Sequence, residues 1–221
     1  MIKYLVWDFD DTLMNTVPVF VSAANEMLKK RGRPDLTVEE VSIYRGQTME
    51  KILASFAPEE PVEDLMKEFK EMDDKYQYKM SLKNNALNIL KHTTEKGYLN
   101  FLVSNRDHVF LMELLNKPEY DVKSYFKYIR GKKSTEEGKP SIKAFNILID
   151  ESKMSDMVDH KEFVMIGDSS SDIDFSYNSN FSNVYIIKNE YSSKEFNDRL
   201  VNLNIPCVND LIELKQFFNG I

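Results

Sequence analysis

Three acidic residues directly follow an apolar stretch near the beginning of the sequence. Residues 3–8 have the composition of a short buried strand, and the chain then continues through Asp8, Asp10 and Asp11. Because an unpaired buried charge is very costly, a buried strand that ends on carboxylates indicates that something at its end uses them. We therefore take Asp8 and Asp10 as the centre of a candidate site and expect Asp11 to take no part in its chemistry.

Polar residues also follow two later apolar stretches. Residues 99–103 and 163–166 each form a β-prone run, and a loop between them enters a helix. Strands that alternate with helices form parallel sheets, and ligands bind at the carboxyl ends of the strands in such sheets. We therefore expect one edge of the sheet to gather Ser104, Lys139, Asp168 and Asp172 around Asp8 and Asp10.

The residue types at this edge are suited to binding a phosphoryl group. Four carboxylates cannot share a small space in ionised form without a cation. Oxygen ligands suit Mg²⁺, which takes one or two carboxylates together with substrate phosphate. Lys139 adds a positive charge and Ser104 adds a hydroxyl donor, so the set can bind a dianionic phosphoryl group beside the metal.

The rest of the sequence divides into a helical segment and an alternating segment. From residue 16 to residue 80, apolar residues recur at helical spacing, a capping box at Thr37 and Glu40 opens the second helix, and no strand pattern appears. From about residue 84, strands alternate with helices up to a last helix from about Asp210 to Phe218. The sequence thus predicts an α/β fold with two parts. They are a Rossmann-like parallel sheet with helices on both faces, formed by residues 1–15 and 84–221, and a small helical cap domain, residues 16–83, inserted after the first strand.

Composition and charge exclude several kinds of partner. The 221 residues carry a net charge of −7, which gives no basic surface for nucleic acid. No run approaches the roughly 20 apolar residues of a membrane span, and the N-terminal apolar run is too short for a signal peptide. The single cysteine, Cys207, permits no internal disulfide. We expect a cytoplasmic protein with a small-molecule partner, and the oligomeric state stays open.

Four motifs of the sequence resemble those of the haloacid dehalogenase superfamily of phosphotransferases, in the family's order and across most of the chain. The family's motifs are a strand followed by Asp-x-Asp-x-Thr or Val, a strand ending in Ser or Thr, a Lys often followed by Pro, and a strand followed by Gly-Asp-x-x-x-Asp. The matching residues are Asp8, Asp10 and Thr12, then Ser104, then Lys139 with Pro140, and finally Gly167, Asp168 and Asp172. Asp11 departs from the pattern, because many relatives carry Gly there. The helical segment resembles the cap domain of the subgroup that contains phosphoglycolate phosphatase and β-phosphoglucomutase.

The resemblance implies a Mg²⁺-dependent phosphatase that hydrolyses a small phosphorylated metabolite through an aspartyl-phosphate intermediate. Asp8 would be the nucleophile, and Asp10 would be the general acid and then the general base. The Asp8 carboxylate, the main-chain carbonyl of Asp10 and Asp168 would hold the metal. Asp172 would orient the waters of the metal or ligate it.

Polar residues beside the acidic group are implied to bind the substrate. Ser104 and Lys139 would stabilise charge on the transferring phosphoryl group, and Asn105 would add an amide contact. Arg45 lies in the segment 44–48, which resembles the cap loop that contacts the leaving group in relatives. The alternatives from the residues alone are that Ser104 caps the following helix, that Asp172 caps its own helix, and that the segment 44–48 is an ordinary turn.

Three other functions stay open at this point. A phosphosugar mutase of the β-phosphoglucomutase type would use the same aspartyl-phosphate and return the phosphoryl group to a reoriented intermediate. A phosphonate hydrolase would need a cap lysine that forms a Schiff base, for which Lys29, Lys30 and Lys51 are the candidates. A catalytically silent binding protein is disfavoured by the complete set of acids.

Overall fold

A parallel sheet lies at the centre of the fold. The computed structural model describes residues 1–44, 47–133, 135–154 and 158–220. Its strands are β1 (Tyr4–Trp7), β2 (Met14–Asn15), β3 (Ser81–Leu82), β4 (Leu99–Asp107), β5 (Phe126–Lys132), β6 (Phe163–Gly167), β7 (Asn183–Ile187) and β8 (Cys207–Val208). Within the described ranges the main sheet has six strands in the order β5-β4-β1-β6-β7-β8, and all neighbours are parallel.

Helices connect the strands and cover both faces of the sheet. They are α1 (Val17–Lys30), α2 (Val38–Tyr44), α3 (Met49–Phe56), α4 (Val62–Tyr76), α5 (Ala86–Glu95), α6 (His108–Leu115), α7 (Ile142–Glu151), α8 (Ser170–Asn178) and α9 (Lys194–Asn202). Helices α5 and α6 contribute to the apolar cluster on one face, and α7, α8 and α9 contribute to the cluster on the other. The predicted fold class, a Rossmann-like α/β sheet with helices on both faces, is confirmed.

The central strand β1 belongs to both apolar clusters. Leu5 and Trp7 pack on one face and Val6 packs on the other, because successive side chains of a strand point to opposite faces. All three side chains are completely buried, and each contributes about 1.5–3 kcal/mol relative to an exposed position. The Trp7 indole also donates a hydrogen bond of 2.9 Å to the Asn100 side chain. This packing fixes the position at which β1 ends.

The register of the sheet aligns the carboxyl ends of three strands. Trp7, the last residue of β1, lies opposite Leu102 of β4 and Ile166 of β6. The residues that follow in each strand therefore leave the sheet at the same edge. The N–H of Asp8 still donates to the Ile166 carbonyl, at 2.9 Å, so the first acidic residue is held against the end of β6.

In the residues that the structure describes, the regular structure between β2 and β3 is helical. Helices α1, α3 and α4 enclose a third apolar cluster of their own, with Leu53 and Leu65 completely buried in it. The Thr37–Glu40 capping box is confirmed, since Thr37 N–H donates to Glu40 at 2.8 Å and Glu40 N–H donates to Thr37 at 3.2 Å. The division into a core of residues 1–15 and 84–221 and a cap of residues 16–83 stays a prediction.

A short antiparallel ribbon joins this helical segment to the sheet. Met14 of β2 pairs with Leu82 of β3, and Asn15 pairs with Ser81. Two-residue strands carry no alternating pattern, and the sequence therefore did not predict them. The ribbon places the entry and exit of the helical segment side by side, directly after β1.

The C-terminal part differs most from the sequence expectation. The predicted last helix is a shorter 3₁₀ helix, Leu211–Gln216, and α9 and β8 were not predicted. Helix α9 buries only Leu200 among its nine residues and is mostly polar in sequence, so few apolar residues mark it as a packed helix. Within the described ranges, no helix combines the length and the apolar character that crossing a membrane requires.

Candidate active site

Asp8 is buried at the edge where β1, β4 and β6 end. Its side chain lies beside Thr12, whose hydroxyl donates towards Asp8 Oδ2 at 3.4 Å and Asp168 Oδ1 at 3.2 Å. Thr12 is completely buried, and Asp8 and Asp168 are 7% and 4% exposed. The first and fourth motifs are therefore in direct contact.

Lys139 reaches the same point from the loop before α7. Its Nζ lies 2.5 Å from Asp8 Oδ1 and 2.6 Å from Asp172 Oδ1, and its side chain is 2% exposed. Burial raises the pKa of Asp8, although the ammonium of Lys139 opposes this shift. Burial alone would lower the pKa of Lys139, but the carboxylates of Asp172 and Asp8 raise it above its ordinary value. Asp8, Lys139 and Asp172 thus form a buried triad in which the lysine is charged.

Asp172 also organises the start of α8. Its Oδ2 accepts hydrogen bonds from the N–H groups of Asp168 and Ser169, at 3.2 and 3.1 Å, and from the Ser169 hydroxyl at 2.7 Å. Together with Ser169 it forms the capping box of the helix. The helix-cap alternative for Asp172 is therefore correct. The same carboxylate also holds Lys139, so capping and pairing are not exclusive.

Gly167 is required at the end of β6 by the position of Asp172. A Cβ at residue 167 would lie 2.3 Å from Asp172 Cγ and 2.5 Å from Asp172 Oδ2. We expect Gly167→Ala to lower the free energy of unfolding by about 1–3 kcal/mol, because overpacking forces a buried, fully bonded carboxylate to move. Urea denaturation followed by the fluorescence of Trp7, the single tryptophan, measures this change. The control is Ser170→Ala at the half-exposed first residue of α8, and equal stability of both variants would contradict the expectation.

Asp10 points away from the buried triad and towards the end of β4. Arg106 holds its carboxylate with Nη2 at 2.7 Å and Nε at 3.1 Å from Oδ1. The Ser104 hydroxyl donates to Asp10 Oδ2 at 3.3 Å and accepts from the Arg106 N–H at 3.0 Å. Both oxygens of the Asp10 carboxylate are thus bound by Arg106 and Ser104, and the metal contact of the Asp10 main-chain carbonyl stays a prediction.

Strand β4 continues past Ser104, so the helix-cap alternative for Ser104 is wrong. The cap of α6 is Asp107, whose side chain accepts from the N–H groups of Val109 and Phe110. Asn105 donates from Nδ2 to the Lys139 carbonyl at 2.9 Å. It therefore holds the loop that carries Lys139, and Ser104 and Asn105 both lie at the predicted edge.

Asp11 has a structural function that the sequence analysis missed. Its φ is +55°, a conformation that glycine adopts most easily, which explains why Gly suits this position in many relatives. Its Oδ1 accepts from the N–H groups of Thr16 and Val17, at 3.1 and 3.4 Å. Asp11 thus fixes the start of α1. Arg45 lies outside the described residues.

A cleft of about 260 Å³ lies between the sheet edge and the helical segment. Its floor includes Asp8, Asp10, Ser104, Asn105, Lys139 and Asp168, and its roof includes Phe20, Tyr44, Ile52, Met66, Phe69 and Asp73. Arg106 also lines it, and its Nη1 lies 3.7 Å from Asp73 Oδ2 of α4. The Arg106–Asp73 pair, which the sequence did not predict, therefore links floor and roof. No sequence signal identifies it, because Asp73 sits in a run of charged residues on a mostly polar helix.

The acidic group has the donor set of a site for a hard divalent cation. Asp8, Asp168 and Asp172 each offer a carboxylate oxygen, and these oxygens lie within 4.8 Å of one another. All three carboxylates are buried, and Lys139 supplies a single positive charge against them. Asp172 has four hydrogen bonds, from Lys139, the Asp168 and Ser169 N–H groups and the Ser169 hydroxyl, and is the most heavily bonded of the three. We therefore expect a cation to take its direct ligands from Asp8 and Asp168 and to lie next to Asp172.

Comparisons with known proteins agree with this geometry. The family model described as haloacid dehalogenase-like hydrolase matches residues 5–186. A phosphoglycolate phosphatase of Vibrio parahaemolyticus is 27% identical over 183 residues, which cover 78% of each chain. A solved structure described as a predicted phosphoglycolate phosphatase from Haemophilus somnus has a TM-score of 0.75 and 20% identity, over 98% of this chain and 97% of that one. A candidate β-phosphoglucomutase structure from Thermotoga maritima has a TM-score of 0.73 and 15% identity, over 99% of both chains. At these identities the two structures show a shared fold.

Proposed function

This chain belongs to the haloacid dehalogenase-like hydrolase family, and we propose that it is a Mg²⁺-dependent phosphatase that hydrolyses a small phosphomonoester through an aspartyl-phosphate. The observation that carries the proposal is the contact of Asp8 with Lys139, at 2.5 Å, beside the carboxylates of Asp168 and Asp172. A carboxylate so placed at the floor of a cleft can attack phosphorus, while the surrounding positive charge binds the phosphoryl oxygens. The curated relative at 27% identity is a phosphatase, which supports the same reaction.

In the first step an Asp8 oxygen forms a bond to phosphorus while the bond from phosphorus to the leaving oxygen breaks. Asp10 gives its proton to that oxygen, and the dephosphorylated product leaves. In the second step water attacks the phosphorus of the aspartyl-phosphate, Asp10 accepts a proton from the water, and inorganic phosphate and free Asp8 are restored. Arg106 Nη2 donates to Asp10 Oδ1 at 2.7 Å and so fixes the orientation of the carboxylate that exchanges the proton in both steps.

The remaining residues bind and orient the phosphoryl group. Lys139 and the Ser104 hydroxyl lie on either side of the Asp8–Asp10 turn and would neutralise charge on the non-transferring oxygens. Asn105 holds the Lys139 loop through its hydrogen bond to the Lys139 carbonyl. Asp8, the Asp10 carbonyl and Asp168 would hold Mg²⁺, with Asp172 beside it. When bound, the cation supplies charge neutralisation that lets an anionic nucleophile approach an anionic phosphate.

Metal binding gives a test that does not depend on turnover. We expect Mg²⁺ at about one hundred times its dissociation constant to raise the free energy of unfolding by about 2.7 kcal/mol, because binding to the folded state alone stabilises it. Asp168→Asn should lose most of this increase. The matched control is Asp150→Asn at an exposed position of α7, which should keep the full Mg²⁺ effect. An equal increase in the Asp168 and Asp150 variants would show that the acidic group is not the metal site.

The phosphonate alternative has no support in the described residues. Lys29, Lys30 and Lys51 are exposed, and none of the three lines the cleft. Lys30 is occupied by an ion pair with Glu68 at 2.9 Å. None of these lysines is placed to form a Schiff base with a substrate above Asp8.

The experiment that tests the proposed function is a phosphate-release screen with Mg²⁺ over small phosphomonoesters, including p-nitrophenyl phosphate and a hexose 1-phosphate. A phosphatase releases inorganic phosphate, and a mutase instead converts the hexose 1-phosphate into its isomer. A protein that releases phosphate from none of these compounds, with Mg²⁺ bound, would contradict the proposal.

A further inference from the structure

We propose that Asp73 of helix α4 is a specificity residue that selects phosphomonoesters with an uncharged hydroxylated or an ammonium-bearing leaving group and rejects those with a carboxylate. This inference rests on the proposed function, because it concerns the part of the substrate that leaves when Asp8 attacks phosphorus. It goes beyond that function by naming the class of leaving group. It also separates this chain from the phosphoglycolate phosphatases to which it is similar, since phosphoglycolate carries a carboxylate.

Asp73 lines the cleft on the side of Asp10. A phosphoryl group at Asp8, between Lys139 and Ser104, directs its leaving group into the cleft towards Asp10, the proposed proton donor. Asp73 lies on the roof at this point, because Arg106 touches both carboxylates: 2.7 Å to Asp10 and 3.7 Å to Asp73. The Asp73 side chain is 13% exposed. A leaving group that accepts the Asp10 proton therefore comes close to a second, shielded carboxylate.

Arg106 is directed at carboxylates of the protein itself. Its Nε and Nη2 donate to Asp10, and its Nη1 lies 3.7 Å from Asp73 Oδ2. Its side chain is 15% exposed. While Asp10 carries the proton that it gives to the leaving oxygen, the Asp73 carboxylate balances the charge of Arg106. This region therefore offers no net positive charge to a carboxylate on the leaving group, and Asp73 can accept a hydrogen bond from a hydroxyl or an ammonium group.

Among the described residues that line the cleft, Lys70 and Lys117 also have partners. Lys70 of α4 pairs with Glu113 at 3.1 Å and lies 3.8 Å above the Phe110 ring. Lys117 is hydrogen-bonded to Gln77. It follows the C-terminal end of α6, a helix about 12 Å long that begins two residues after Arg106. A short acid held by its phosphate at Asp8 would meet Asp10 and Asp73 before it could reach Lys117.

Several apolar side chains of the described roof surround Asp73 in the lining. Phe20, Ile52, Met66 and Phe69 line it, and Phe20 and Phe69 are in ring contact at 6.2 Å. In the part of the roof that the structure describes, Asp73 and Asp74 are the carboxylates, and Asp74 is the more exposed of the two, at 58% against 13%. The buried carboxylate is therefore the one that discriminates between leaving groups.

Three substrates that differ only at the end of a two-carbon leaving group test this inference. They are 2-hydroxyethyl phosphate, phosphoethanolamine and phosphoglycolate, which present a hydroxyl, an ammonium and a carboxylate. With the Mg²⁺-loaded wild-type protein, we expect kcat/KM for each of the first two to exceed that for phosphoglycolate by at least about tenfold, because like charges placed side by side are strongly unfavourable. The variant Asp73→Asn keeps the shape of the side chain, removes its charge and leaves Arg106 with a free edge. In this variant, kcat/KM for 2-hydroxyethyl phosphate or phosphoethanolamine divided by kcat/KM for phosphoglycolate should fall by about tenfold or more. Most of this fall should come from a higher kcat/KM for phosphoglycolate.

The control variant is Glu71→Gln, which makes the same change of charge on the same helix at an exposed position outside the cleft. It should leave the ratio unchanged. The inference is overturned if the wild-type protein turns over phosphoglycolate as well as the other two substrates, a comparison that needs no variant to fold. It is also overturned if folded Asp73→Asn keeps the wild-type ratio. Failure to release phosphate from any substrate, p-nitrophenyl phosphate included, overturns the proposed function itself and the inference with it.

Discussion

Replacing Asp8 with asparagine is expected to lower kcat for phosphate release by more than about 10⁴-fold, the scale of loss seen when a covalent nucleophile is removed. The amide is close in shape to the carboxylate but cannot form the acyl phosphate. It would still lie at the end of β1, because the Asp8 backbone N–H keeps its bond to the Ile166 carbonyl. Lys139 would keep its 2.6 Å contact with Asp172. We therefore expect the variant to lose activity because it lacks the nucleophile, while its fold stays intact.

The measurement is release of inorganic phosphate from p-nitrophenyl phosphate with saturating Mg²⁺, together with the unfolding midpoint of each protein. Asp74→Asn is the matched control, because Asp74 also lines the cleft but is 58% exposed on the roof. It should retain activity within about threefold, as expected for a charge that does not touch the reacting atoms. A folded Asp8→Asn protein with wild-type turnover would contradict the assignment of Asp8 as the nucleophile.

The positions of the acidic residues could be predicted because two simple regularities determine them. Apolar runs mark where β1 and β6 end, and parallel strands bring their carboxyl ends to one edge of the sheet. Asp8, Asp168 and Asp172 therefore meet as expected. Lys139 is different, since a loop residue has no periodicity. Its position was predicted by resemblance to a family motif, and the structure places its Nζ 2.5 Å from Asp8.

The Arg106–Asp73 pair could not be predicted, because it depends on how the helical segment lies over the sheet. Asp73 is one of several charged residues on a polar helix, and Arg106 lies beyond the predicted end of its strand at residue 103. The 3.7 Å approach of the two side chains requires the ribbon of β2 and β3, whose two-residue strands leave no pattern in the sequence. Contacts that depend on how the helical segment packs against the sheet thus cannot be predicted from the sequence. The proposed selection of the leaving group by Asp73 depends on such a contact.

The largest expected change in stability comes from Lys139. Replacement by methionine keeps a chain of similar length but leaves Asp8 and Asp172 buried without their shared counter-charge. Removing one partner of a buried ion pair in this way costs about 3–5 kcal/mol. We therefore expect Lys139→Met to lower the free energy of unfolding of the metal-free protein by this amount. Urea denaturation followed by the fluorescence of Trp7, which is completely buried, gives the value directly.

A double-mutant cycle shows whether the buried charge is the cause. If the unpaired Asp8 carboxylate carries much of the cost, adding Asp8→Asn to Lys139→Met should restore about 1–3 kcal/mol, since it removes one uncompensated buried charge. Lys143→Met is the control, because Lys143 is paired with Glu137 at 2.5 Å but both side chains are more than half exposed, at 65% and 58%. It should leave the unfolding midpoint unchanged. A double variant that is no more stable than Lys139→Met would mean that the lysine acts through its packing, and that its charge does not hold Asp8 in place for attack.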